Sequence, residues 1–235
     1  MIKGYLHTRA QDGLSRLIAV AVAVYVCAYA NMIPIDFNAV EDPFQQLFVS
    51  NWNSRTLTVF YIPLFLLFLF FQQKVFLESY YRCRFSRFKT LWRARGTALV
   101  WDCLLYEALM QLAFLLFSVL LGRWNDYSAH ISSIVLSAVG QTASLLLLSL
   151  LAAVFCEWLR SAFGGIALVF VLVAVEFFLY YLRPDLLFFF GGFLDYYAIG
   201  ELLRLLGLYA AVATGLLFLV FGFLPGRDSL QKEKV

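Results

Sequence analysis

The chain is built from long apolar runs that are separated by short polar segments. Within a run the apolar residues follow one another without the two-residue alternation of a membrane β-strand, so the pattern predicts α-helices. A helix needs about 20 mostly apolar residues to cross a hydrocarbon core of about 30 Å. The run that begins at Leu57 is expected to continue as one helix through Lys74. Six runs are predicted to span: Leu17–Ile33, Leu57–Phe71, Ala98–Leu121, Ile131–Phe155, Phe163–Leu182 and Leu205–Leu224.

The amino-acid composition also indicates that most of the chain lies in lipid. Of 235 residues, 63% are hydrophobic and 14% are charged, and the mean hydropathy is +0.80. Soluble domains carry about a quarter charged residues, so most of this chain must be solvated by lipid. The predicted fold class is therefore an all-α membrane protein, built as a six-helix transmembrane bundle.

The basic residues predict the orientation. Of the 18 Lys and Arg residues, all but Arg55, Arg123, Arg183 and Arg204 fall on the side that holds both termini. By the positive-inside rule that side is cytoplasmic. We therefore expect a multi-pass protein of the bacterial cytoplasmic membrane with both termini in the cytoplasm. This distribution also accounts for the net charge of +3 without a nucleic-acid partner.

The predicted organisation has three parts: a cytoplasmic segment 1–16, a transmembrane domain 17–224 and a cytoplasmic tail 225–235. In the first part, apolar residues recur every four positions from Ile2 to Leu14. This spacing predicts a short amphipathic helix in the plane of the lipid headgroups. An irregular basic tail that only sets the topology is the alternative.

Segment 77–96, LESYYRCRFSRFKTLWRARG, joins the predicted second and third spans on the cytoplasmic side. Its aromatic and aliphatic residues recur at spacings of three and four, with Arg and Lys between them, as in a basic amphipathic helix. Three interpretations stay open on the residues alone. The segment binds anionic lipid, or it only sets the topology, or its aromatic face docks into a cytoplasmic partner.

The layout around this segment resembles that of small type-2 ABC exporter permeases, as in bacteriocin and lantibiotic export and immunity transporters. The resemblance rests on Arg84-Phe85-Ser86-Arg87, on Leu91-Trp92 and on Tyr106 in the next helix. The similarity in layout also includes six helices, a similar chain length and two cytoplasmic termini. It implies that segment 77–96 carries a coupling helix that sits in a groove of an ATPase subunit. The residues implied in this contact are Arg84, Ser86, Arg87, Phe88, Leu91 and Trp92.

Segment 184–200 precedes the sixth span, and its residue pattern predicts a further structural element. Its apolar part, Leu186–Leu194, is too short to cross a membrane, and Gly191-Gly192 would interrupt a helix there. This pattern predicts a re-entrant or interfacial element on the outer face, and type-2 ABC permeases resemble it in this respect. A loop packed on the outer surface by its Phe residues is the alternative.

Four polar residues lie inside predicted spans, where lipid makes them costly: Glu107, Gln111, Gln141 and Glu176. Glu107 and Gln111 are four residues apart and so share a helix face. One interpretation places the four in the bundle interior or at a dimer seam, as a pathway for a cationic or amphipathic substrate. The other has hydroxyl groups of neighbouring helices satisfy them.

The predicted function is a transport subunit without enzymatic activity. No GxxxxGKS or GxxxxGKT motif occurs, so no cofactor is expected on this chain. The resemblance implies a separate cytoplasmic ABC ATPase subunit that binds ATP and Mg²⁺, and a second permease copy or a paralogue. The expected activity is ATP-driven export of an amphipathic or hydrophobic substrate, with an antimicrobial peptide as the cargo that the resemblance suggests.

Two other classes stay open. A substrate-binding subunit of a vitamin uptake transporter also has about six helices, but the long basic segment argues against it. An intramembrane hydrolase needs paired Glu or His residues, or a Ser nucleophile with a base, and the spans hold only isolated carboxylates. The four cysteines form no CxxC pair and there are two histidines, so no metal site is predicted.

Overall fold

A computed structural model describes residues 2–32, 43–78, 82, 88–182, 189–194 and 199–223, and in the first helix it describes side chains from Arg16 onward. Every regular element within these residues is helical, as predicted for an all-α protein. The elements are α1 (Ile2–Met32), α2 (Pro43–Asn51), α3 (Ser54–Thr56), a π-helical turn (Leu57–Tyr61), α4 (Ile62–Leu77), α5 (Phe88–Leu120), α6 (Trp124–Ala129), α7 (Ile131–Leu159), α8 (Ala162–Leu182), α9 (Gly191–Leu194) and α10 (Ile199–Phe223).

Several of these helices can cross a membrane. The predicted first span, Leu17–Ile33, corresponds to a shorter apolar stretch, Arg16–Asn31. The prediction of a multi-pass helical membrane protein is therefore confirmed, whereas a total of six spans stays a prediction. Within the described residues, five stretches are long and apolar enough to span: Phe44–Leu77, Phe88–Leu120, Ile131–Leu159, Ala162–Tyr180 and Gly200–Gly222.

Two helices continue through boundaries that the hydrophobic pattern predicts. Helix α1 is unbroken from Ile2 to Met32, so segment 1–16 and the first apolar run form one helix. Helix α5 begins at Phe88 and not at Ala98, so the described end of segment 77–96 continues into the third span. A change from basic to apolar side chains removes no backbone hydrogen bond, and neither boundary contains a proline that would interrupt the helix.

The spanning stretch Phe44–Leu77 is interrupted near its start. Helix α2 ends at Asn51, and Asn53 caps α3 by accepting a hydrogen bond from the Thr56 N–H at 2.8 Å. A π-helical turn follows, and Pro63 lies just beyond it, where it has no N–H with which to continue the regular ladder. The Tyr106 hydroxyl of α5 donates to the Tyr61 carbonyl at 2.6 Å, which ties this irregular turn to the bundle.

Helix α7 lies at the centre of the packing, because α5, α8, α9 and α10 all contact it. Small side chains let membrane helices approach closely, and α7 buries a series of them. They are Ser137, Gly140, Ser144, Ala152 and Ala153.

The connection from α7 to α8 is tight. Arg160 adopts the left-handed conformation with φ 54°, and the Gly164 N–H donates to Ser161 Oγ at 3.0 Å. Helix α8 then packs so closely on α7 that a Cβ at Gly165 would overlap the backbone and sulfur of Cys156. Any side chain at this position would therefore push α7 and α8 apart.

Candidate functional site

A polar group lies between α5 and α7, inside both spanning stretches. Gln111 Nε2 donates to Glu107 Oε1 at 2.8 Å and to Gln141 Oε1 at 2.7 Å. The Glu107 and Gln141 side chains are 5% and 0% exposed, and Gln111 is half-buried. The structure therefore brings three of the four predicted pathway residues together.

The hydrogen-bonding capacity of this group is not filled. Gln111 donates from its Nε2 to both oxygens, because an amide nitrogen is a donor and a carboxyl or amide oxygen is an acceptor. Three buried atoms are left without a partner among the described residues: Glu107 Oε2, Gln111 Oε1 and Gln141 Nε2. Because buried polar groups are nearly always hydrogen-bonded, the three atoms suit the group to binding a polar ligand or water.

The fourth predicted pathway residue, Glu176 of α8, contacts a different part of the chain. Its buried carboxylate accepts hydrogen bonds from the backbone N–H groups of Phe189 at 2.8 Å and Phe190 at 3.1 Å. These N–H groups precede the short helix α9, and the backbone N–H groups at a helix start need acceptors from outside the helix. Glu176 therefore fixes the position of this element.

Helix α9 is seated against α7 close to the polar group. A Cβ at Gly192 would overlap Ser144 Oγ and the carbonyl of Gly140, and Gly140 directly precedes Gln141. At 1.5 Å per residue, these α7 residues lie about 14 to 20 Å from the first residue of the helix. The Gly192 segment therefore meets α7 far from the end of that helix.

The predicted coupling residues on α5 are partly enclosed by the chain itself. Leu91 and Trp92 are buried, and Phe88 is half-buried. The rings of Phe88 and Trp92 lie 6.4 and 6.5 Å from the ring of Phe221 on α10. The described part of the aromatic face that the sequence suggests for a partner, Phe88 and Trp92, therefore packs on α10.

The basic side chains beside this aromatic face remain accessible. Lys89 and Arg93, one helical turn apart, are both exposed. The other predicted coupling residues, Arg84, Ser86 and Arg87, lie outside the described residues, and their role stays a prediction. The described surface at this end of α5 is therefore basic rather than aromatic.

A buried ion pair, which the sequence analysis does not anticipate, joins three helices at this end of the bundle. Arg95 Nη1 lies 3.1 Å from Glu157 Oε2, and the two side chains are 1% and 2% exposed. Arg95 Nε also donates to Gln73 Oε1 at 2.8 Å, and the guanidinium lies 4.9 Å from the centre of the Trp92 ring. Arg82 pairs with the other oxygen of Glu157. Helices α4, α5 and α7 are thereby linked.

Only some residues of the cluster around the Arg95–Glu157 ion pair could be recognised from the sequence. Glu157 is a lone acid after an apolar run, and Gln72-Gln73 closes another run. Arg95 is one of many basic residues in segment 77–96, so nothing in the sequence separates it from residues that only set the topology. Its partners depend on how three helices pack.

The Glu107–Gln111–Gln141 group has the chemistry of a binding site, and the Arg95–Glu157 pair that of a contact that holds helices together. Amides and a carboxylate recognise ligands through hydrogen bonds and charge. Within the part of the chain that the structure describes, no group of three His, Cys, Asp or Glu residues could hold a metal ion. No protein-family model, curated protein or solved structure matches the chain. Its function therefore has to be inferred from its own geometry.

Proposed function

We propose that the chain is the transmembrane permease subunit of an ATP-driven exporter in the bacterial cytoplasmic membrane, with both termini in the cytoplasm. Its cargo is an amphipathic or hydrophobic molecule, such as an antimicrobial peptide, moved across or out of that membrane. The observation that carries the proposal is the group of Glu107, Gln111 and Gln141, which is polar, buried and incompletely paired within apolar helices.

The energetics of this group favour a pathway over a structural role. Burying a polar group without a hydrogen bond costs about 2 to 7 kcal/mol, and a polar network that only stabilises the fold gains most when all its atoms are paired. Ionisable residues inside spans commonly mark substrate or ion pathways. The side chain of Gln111 is half-buried, so part of it lies at the surface of the bundle, although the unfilled atoms themselves are buried.

The ATPase subunit is proposed to dock on the basic end of α5. Lys89 and Arg93 are exposed there. Because Phe88 and Trp92 pack against Phe221, their proposed role is to hold α10 on α5, so that a push on one helix moves the other. This differs from the groove contact that the resemblance implies for the aromatic residues.

ATP and Mg²⁺ belong to the ATPase subunit in this proposal, and a second permease copy or a paralogue completes the pathway. Segment 184–200 is proposed to re-enter the membrane from the outer face. The seating of Gly192 beside Gly140, well inside α7, supports that placement. The Glu176 carboxylate would hold the re-entrant backbone in the absence of water.

Affinity purification from native membranes in a mild detergent tests the proposal. We expect wild type to co-purify with a subunit that hydrolyses ATP. Lys89→Glu/Arg93→Glu should lose it, because two reversed charges remove the basic surface. Arg55→Glu/Arg204→Glu is the matched control, since both arginines are exposed at the opposite end of the bundle and should leave the partner bound.

The outcomes separate the parts of the proposal. If wild type recovers no ATP-hydrolysing partner, the exporter assignment is wrong. If both charge variants keep the partner, the docking surface lies elsewhere. Loss of the partner only in Phe88→Ala/Trp92→Ala would instead favour the aromatic groove contact.

A further inference from the structure

The three unfilled atoms of the polar group are arranged around Gln111 Nε2. Gln111 Nε2 is 2.8 Å from Glu107 Oε1 and 2.7 Å from Gln141 Oε1. Bond lengths of about 1.2 to 1.3 Å put the two heteroatoms of a carboxylate or an amide about 2.2 Å apart. All three unfilled atoms therefore lie within about 5 Å of Gln111 Nε2 and within about 10 Å of one another, so a ligand that carries separate donor and acceptor groups is needed to contact all of them.

The unfilled atoms define the hydrogen bonds that a ligand must supply. When Glu107 is ionised against a bound cation, its Oε2 and Gln111 Oε1 are acceptors, and Gln141 Nε2 is a donor. A complementary ligand donates two hydrogen bonds and accepts one. A primary ammonium supplies the two donors, and an oxygen on the neighbouring carbon supplies the acceptor.

Charge favours an ammonium over a neutral donor. Glu107 is 5% exposed and has no ion-pair partner among the described residues. A carboxylate in an apolar environment is strongly destabilised unless a cation or several donors compensate it. Without a cation such a carboxyl is held in its neutral, protonated form, whereas a bound ammonium lets it ionise as an ion pair, which a water molecule does not.

The position of Gln111 indicates how such a ligand reaches the group. Gln111 is half-buried, and its neighbours Ala108 and Leu112 are exposed on the surface of α5. A molecule with an apolar chain can therefore keep that chain beside α5 while its head group contacts Gln111. This geometry suits an amphipathic ligand that arrives from the bilayer.

We propose that Glu107, Gln111 and Gln141 bind amphipathic primary amines whose ammonium carries a carbonyl or hydroxyl oxygen on the adjacent carbon. The proposal rests on the proposed pathway role of this group and names the chemistry of the molecule that it takes. Glu107 is the residue that selects for the positive charge. Gln141 selects for the neighbouring oxygen.

Binding of three matched probes to the purified chain in nanodiscs, without any ATPase, tests this specificity. Glycine N-dodecylamide carries the ammonium and the carbonyl oxygen, dodecylamine lacks the oxygen, and N-dodecylacetamide lacks the ammonium. At about pH 6.5 an amine with a pKa near 8 is protonated. Microscale thermophoresis gives each Kd, and empty nanodiscs correct for partition into lipid.

We expect glycine N-dodecylamide to bind best, dodecylamine about threefold to tenfold more weakly, and N-dodecylacetamide about tenfold to a hundredfold more weakly. Glu107→Gln, which keeps the size but removes the charge, should weaken the glycinamide to the level of the acetamide. Glu201→Gln, at an exposed carboxylate on α10, is the control and should change nothing. Gln111→Met provides a second test of the group and should also weaken the glycinamide.

Equal binding of the three probes to wild type would overturn the proposal, as would full affinity in both Glu107→Gln and Gln111→Met. Binding no stronger than to empty nanodiscs would mean that water fills the group, and this outcome also refutes the proposal. Since no ATPase is present, such a failure leaves the exporter proposal standing. Loss of the ATPase partnership would equally leave a positive binding result intact.

Discussion

Replacing Glu157 by Gln perturbs the buried ion pair with little change in shape. Arg95 keeps its hydrogen bond to Gln73 but becomes a buried charge without a counter-ion. At 3.1 Å and an effective dielectric constant of about 20, the lost Coulomb interaction is about 5 kcal/mol. Removing one partner of a buried pair typically costs about 3 to 5 kcal/mol, so the two approaches agree.

This loss should be visible as a lower unfolding temperature. For a chain of this size 1 kcal/mol corresponds to about 2 to 4 °C, so we expect Glu157→Gln to lower the midpoint by about 6 to 20 °C. The thiols of Cys27, Cys103 and Cys156 are buried, so unfolding exposes them. A thiol-reactive fluorophore in detergent, at a fixed heating rate, therefore reports the midpoint.

Two further variants decide whether the charge is the cause. Arg95→Met/Glu157→Met removes both fully buried charges and should recover at least half of the loss, because Arg82, which also loses its contact with Glu157, is 17% exposed and can be solvated. Asp126→Asn breaks the Arg123–Asp126 pair, whose side chains are about one third exposed, and should change stability by less than about 1 kcal/mol. The reasoning is refuted if Glu157→Gln behaves like Asp126→Asn, or if the double variant is no more stable than Glu157→Gln.

Two other predictions concern close packing and the backbone. Gly165→Ala should destabilise the protein by about 1 to 3 kcal/mol, because its Cβ overlaps Cys156, whereas Gly164→Ala meets only ordinary van der Waals contacts; thermal unfolding of the pair checks this. Glu176→Gln keeps one acceptor for two backbone donors, so hydrogen exchange in residues 189–194 should become about tenfold faster, with Glu201→Gln unchanged. Equal stabilities of the glycine variants, or unchanged exchange, would contradict these assignments.

The elements that follow from hydrophobic pattern and helix periodicity could be predicted from the sequence. Long apolar runs predict spanning helices because the bilayer thickness sets their length, and the described stretches agree with this. The four-residue spacing of Glu107 and Gln111 predicts a shared face, and their 2.8 Å hydrogen bond agrees with it. Gln141 could be recognised as a polar residue within a span, but not as their partner.

Other features depend on contacts that the sequence does not display. Glu176 looks like a pathway carboxylate because it lies within a span, but its partners are backbone N–H groups, which every segment offers equally. Arg95 and Glu157 are 62 residues apart, and only helix packing decides that they meet. Trp92 looks like a docking residue from its amphipathic spacing, yet the same spacing also suits the packing on Phe221 that the structure has.

The ion pair and the polar group are two contacts of one antiparallel helix pair, and this constrains any transport cycle. Sixteen residues separate Arg95 from Gln111 on α5, and sixteen separate Gln141 from Glu157 on α7, which is about 24 Å along each helix. The matched spacing means that α5 cannot slide along α7 without breaking both contacts. If an ATPase moves α5 through the adjoining basic surface, the Arg95–Glu157 contact must therefore open together with the polar group. Variants of Glu157 should then alter amine binding at Glu107 although the two carboxylates lie far apart, and an unchanged Kd in Glu157→Gln would show that the two ends of the helix pair move independently.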